Sequence, residues 1–72
     1  MRRIVVIGEG NRVRGYGLTG ATVIEAEDHP SIVRAWDELP SDAALVILTA
    51  AAAAILRHRL AERPRVVWAA MP

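Results

Sequence analysis

Two glycines and an acid set directly after a strand are the residues in this chain whose types and spacing most invite chemistry. Gly8-Glu9-Gly10 follows the run Arg3-Ile4-Val5-Val6-Ile7. Glycines at a strand-to-helix turn let backbone N–H groups approach a phosphate. Glu27 lies near the end of the next apolar run, where dinucleotide sites keep a ribose-binding carboxylate. The pattern then breaks down. The third glycine position of G-x-G-x-x-G is Val13, and the next glycine is Gly15. The segment that should offer a long helix N-terminus carries Gly15 and Gly17, each costing on the order of 1 kcal/mol of helix stability relative to alanine. A complete dinucleotide site also needs a second mononucleotide half, for which 72 residues leave no room.

Other chemistries fail on composition. A phospho-acceptor domain needs an aspartate ending its third strand and acids after the first. Here the third apolar run ends in Leu48-Thr49, only Glu9 follows the first, and there is no lysine. No G-K-[ST] loop is present, and no Ser-His-Asp arrangement can be assembled, Ser31 and Ser41 falling at a helix start and in a loop. With no cysteine and two histidines, His29 and His58, a metal site lacks ligands. His58 reads as a surface residue near a helix end. The nine basic residues, all arginine, lack interleaved aromatics, and the net charge is +1, so nucleic acid is not expected as a partner. No catalytic constellation emerges, and no cofactor is expected.

A chain of 72 residues makes one small domain, which buries roughly 60% of its unfolded surface and is correspondingly marginal. Without disulfide or metal staples, such a domain often leans on a partner. No run is long enough to span a membrane, and too few apolar residues precede Gly8 for a signal peptide; a cytoplasmic protein is expected. The charges are segregated. Residues 1–24 sum to +3, residues 25–42 to −5 and residues 43–72 to +3. That layout fits either a dipole that orients docking or ordinary solvated faces.

The elements follow from periodicity. Arg3 to Ile7 is an unbroken β-branched run, as in a parallel strand buried on both faces. Asn11 is placed to cap a short helix reaching about Gly17, where Gly15, Gly17 and Gly20 suggest close backbone packing or positive φ. Ala21 to Ala26 is the second strand. Asp28 caps a helix with Pro30 in its first turn, whose stripe is Ile32, Val33, Ala35, Trp36 and Leu39, and which Pro40 stops. Trp36 is its core anchor. Ala43 to Leu48 is the third strand, Thr49 caps a third helix from Ala50 to about Arg63, and Pro64 ends it. Arg65 to Ala70 is the fourth strand.

The order β-α-β-α-β-α-β predicts an α/β fold, a four-stranded parallel sheet in the order 2-1-3-4. That order puts the first helix on one face and the other two on the opposite face. Strands three and four then have an apolar second face with no helix to cover it. Either a partner covers it, or two copies pair there.

One stretch also carries a family likeness. Val6-Ile7-Gly8, then Val13-x-Gly15-Tyr16-x-Leu18-Thr19-Gly20, resembles the N-terminal signature of the F subunit of the archaeal/vacuolar-type rotary ATPases, T/V-x-G-F-x-L-A-G. Tyr16 stands for the usual Phe and Thr19 for the usual Ala. Glu27-Asp28-His29-Pro30, Ala44 to Thr49, and Arg65-Val66-Val67-Trp68 with Pro72 are similar to later parts of that family. The resemblance implies a Rossmann-like, non-enzymatic rotor component on the central stalk. It would bind the coiled-coil D subunit, peripheral to the membrane, and modulate ATP hydrolysis by the catalytic head. Family members continue into a C-terminal helical tail that this chain lacks. The contact surface expected on this reading has Arg57, Arg59 and Arg63 as a charged rim and Val67 and Trp68 as apolar anchors, although Trp68 also fits a plain core role. A Rossmann-like nucleotide-binding domain and a self-associating module are the alternative readings.

Overall fold

A computed structural model describes residues 2–63 and 65–71. Four strands, β1 (Arg3–Gly8), β2 (Thr22–Glu25), β3 (Ala43–Leu48) and β4 (Trp68–Ala70), form one sheet in the order β2-β1-β3-β4, every pair parallel. The helices are α1 (Gly10–Val13), α2 (His29–Asp37), α3 (Ala50–Ile55) and α4 (Arg57–Glu62), with a 3-10 helix over Arg14–Thr19. The expected fold is therefore the observed one. Pro64, expected to end the third helix, and Pro72, named in the family likeness, lie outside the described residues.

β1 is central because it is apolar on both sides: Val5, Val6 and Ile7 are all fully buried. On one side, Val5 and Ile7 join Val46 and Leu48 of β3 beneath Ile32, Ala35 and Trp36 of α2 and Ala52, Leu56 and Leu60 of the C-terminal helices. On the other side, α1 lies against β1 and β2, with Val6 and Val13 fully buried.

The helix boundaries show where local chemistry decides. Asp28 caps α2 as expected, its carboxylate accepting from the Ser31 N–H at 2.9 Å, and Thr49 caps α3, its hydroxyl oxygen accepting from the Ala52 N–H at 3.2 Å. Asn11 is not a cap. The first helix begins at Gly10, where the Glu9 carbonyl accepts from the N–H groups of Arg12 and Val13. After one turn it tightens into the 3-10 segment, which ends at Gly20 with φ 88°. Gly20 thus needs to be glycine. The close packing expected at Gly15 is absent: a Cβ there would meet nothing within 4 Å. At Gly17 it would make ordinary contact with Val23 at 3.8 Å.

The single third helix expected from the alanine run is two. Leu56, at φ −88° and ψ 3°, separates α3 from α4. Hydrogen bonds from Leu56 N–H to Ala52 and from Leu60 N–H to Leu56 carry the ladder through this bend. Leu56 and Leu60, four positions apart, share one helix face, and both stay in the core across the bend. β4 is also shorter than expected, because the Val66 N–H bonds to the Arg63 carbonyl and holds a turn until Val67.

Hydrogen bonding from Ser31, its hydroxyl first and then its backbone N–H, holds the Asp28 carboxyl below the ordinary aspartate value. A carboxylate with a lowered folded pKa stabilises the fold above the unfolded pKa, and that contribution is lost as pH falls through the folded value. Thermal melts of the native chain should therefore lose ground to those of Asp28→Asn as the solution is acidified. A difference between the two that stays flat with pH would count against the cap.

Candidate functional site

The crevice outside the C-terminal ends of β1 and β3, where the strand order reverses, is the usual ligand position in an open parallel sheet. Here it is occupied by the chain itself. A Cβ on Gly8 would overlap the side chain of Thr49, which is buried and donates its hydroxyl to Glu9 Oε1 at 3.3 Å. A Cβ on Gly10 would overlap Glu25 Oε1, and Glu25 pairs with Arg14 at 3.7 Å. Gly8 and Gly10 thus make room for Thr49 and Glu25, not for a phosphate. Glu9 Oε2 is buried without a partner among the described residues, and α1 has one turn. Two carboxylates beside so short a helix oppose an anion. Among the described residues, no group of three His, Cys, Asp or Glu could hold a metal ion.

The expected contact residues fall on different surfaces. Arg59 and Arg63 are tied to α2: Arg59 donates to Asp37 Oδ1 at 2.6 Å, and Arg63 donates to the Trp36 carbonyl at 3.0 Å while its guanidinium lies 5.8 Å from the indole centroid. They clip α4 onto α2 more than they line a free rim. Arg57 is exposed, with no ion pair among the described residues. Val67 and Trp68 are both exposed, so Trp68 is not a core residue. Consecutive strand residues point to opposite faces. Trp68 is in register with Val46 and lies on the side of α2–α4, whereas Val67 lies on the side of α1.

That second side is where the structure leaves apolar surface uncovered. Register puts Ile4 beside Leu45 and Val6 beside Ile47, with Ala69 next along. α1 and Val13 cover Val6, but none of the described helices lies over β3 and β4 there. Ile4 is 44% exposed and Val67 61%, while Leu45 and Ile47 are half-buried. Leu18, from the 3-10 segment on the same side of the sheet, is 92% exposed. Of the residues in the glycine-bearing signature, Val13 is core, Tyr16 is half-buried and Leu18 stands out in solvent.

The strand order inferred from sequence points to this uncovered face, but of its members only Val67 is named there. Ile4 and Leu18 carry no such signal. Ile4 belongs to an apolar run that reads as buried throughout, and nothing in the sequence tells where α1 stops covering β1. No helix among the described residues is long and apolar enough to cross a membrane. In comparisons with known proteins, no family model, curated protein or solved structure matches this chain.

Proposed function

We propose that this chain is a non-catalytic docking module: the central-stalk F subunit of an archaeal/vacuolar-type rotary ATPase. In this role it binds the coiled-coil D subunit in the cytoplasm, peripheral to the membrane, and modulates ATP hydrolysis and its coupling to ion transport. Two things support this reading. One is the resemblance carried by Val13, Gly15, Tyr16, Leu18 and Gly20. The other, which carries the most weight, is the apolar second face of β1, β3 and β4, with Ile4 and Val67 open to solvent in a chain without cysteine. An apolar patch flanked by polar residues marks an interaction surface. The crevice at Gly8–Gly10, filled by Thr49 and acidic side chains, offers a nucleotide little.

The test is co-purification with a D-type coiled coil, then size-exclusion chromatography with light scattering. The expected product is a one-to-one complex. A well-folded chain that stays free of the coiled coil sinks the rotor assignment, and a stable dimer of the chain alone would favour self-association instead.

A further inference from the structure

The geometry points to the uncovered face of β1, β3 and β4 as the seat of one amphipathic helix from a partner, whose last turns are acidic. This inference rests on the docking reading above and deepens it by assigning the surface, the chemistry and the direction of the occupant. The apolar floor is Ile4, Leu45, Ile47 and Val67. The charge sits at one end. Arg2 immediately precedes β1 and Arg65 lies just before β4, and because the two strands are parallel both cations stand at the same end of the sheet. With Val67 they line a shallow cleft of about 510 Å³. The acid in that cleft, Asp42, is already engaged by Arg3 at 3.2 Å. Arg2 and Arg65 have no ion pair among the described residues.

Three considerations select the occupant. A layer packed on a parallel sheet is helical, and it runs against the strand direction as the crossover helices do. A helix lying that way brings its C-terminal end over Arg2 and Arg65, and the negative end of its dipole favours those cations. Acidic side chains in its last two turns would add ion pairs at the same place. A second copy of this chain fits less well, because an isologous interface pairs this sheet face with itself and brings no helix end to Arg2 and Arg65. β1 has six residues, about 20 Å at strand rise, so roughly 14 helical residues cover it.

The probes are two synthetic helices of about 16 residues with one Leu/Ala stripe, carrying either glutamates or lysines in the last two turns. Each is labelled and titrated with the full chain. The glutamate helix is expected to bind saturably, and the lysine helix about ten-fold or more weaker. Val67→Glu should abolish binding, and Arg2→Glu with Arg65→Glu should reverse the preference. These side chains are exposed, and circular dichroism checks that each variant keeps its fold. Equal binding of the two helices, binding by neither, or indifference to Val67→Glu would overturn the inference. Repeating the titration with the D-type coiled coil separates the two levels. A coiled coil that binds the chain and ignores all three substitutions refutes this surface and leaves the docking function standing. A chain that takes the glutamate helix but no coiled coil supports the surface and removes the rotor assignment.

Discussion

Trp36→Ala is expected to remove a large part of the stability of the fold, about 3–5 kcal/mol. Trp36 is the largest fully buried side chain, 1% exposed, and joins α2 to the sheet and to the C-terminal helices. Truncating a buried Trp or Phe to alanine costs about 3–5 kcal/mol, the transfer term and the cavity term adding. Stability of roughly 0.05–0.15 kcal/mol per residue gives a chain of 72 residues about 4–11 kcal/mol in all. The loss is thus a large fraction of the total. The substitution also removes the surface on which Arg63 stacks. Trp36→Phe should cost much less than its volume suggests, because the indole Nε1 is buried without a partner among the described residues. Replacing that ring removes an unsatisfied donor along with the carbon. Urea denaturation followed by circular dichroism separates the two variants. An alanine variant with a midpoint close to the native chain would show that α2 is not the keystone of this core.

The sheet order and most of the helix caps are legible in the sequence because each rests on a local rule that tertiary packing does not override. The β-branched run from Ile4 to Ile7 can be satisfied only in a central strand, and Asp28 with Pro30 two positions on can hardly be anything but a helix start. What stays hidden depends on neighbours distant in the chain. The bend at Leu56 lies inside a segment of high helix propensity, which carries no local sign of it. The room around Gly15 is invisible for the same reason, since a glycine looks alike in sequence whether it is crowded or idle. Of the expected docking residues, Arg59 and Arg63 have partners on α2, which a reading of solvent-facing helix positions has no means to supply. Arg2 and Arg65, 63 positions apart in the chain, become neighbours of Val67 only once β1 and β4 lie in one sheet.

Gly8→Ala is the second large effect, and it separates a packing glycine from a phosphate-binding one. The added Cβ would overlap Thr49 Cγ2 and stand 2.7 Å from Oγ1 and 2.9 Å from Cβ of the same residue. Thr49 has little freedom to retreat. It is 2% exposed, its N–H bonds to the Ile7 carbonyl at 3.2 Å, and its hydroxyl both caps Ala52 and donates to Glu9. Overpacking of this kind typically costs about 1–3 kcal/mol. Displacing the cap adds about 1 kcal/mol more, so together the losses approach those of Trp36→Ala. Gly10→Ala should be mild by comparison, because the atom it meets is the far end of the Glu25 side chain, which can swing into solvent. Gly15→Ala should be near neutral or slightly stabilising, since the site is open and alanine is the better helix former. Thr49→Ser in the Gly8→Ala background removes Cγ2, the nearest clash, and should recover part of the loss while barely affecting the native chain. Thermal melts of the four variants give the ranking directly. If Gly8→Ala melts with Gly10→Ala and Gly15→Ala, then Thr49 does not fill this crevice, and the space between β1 and β3 is open to a ligand after all.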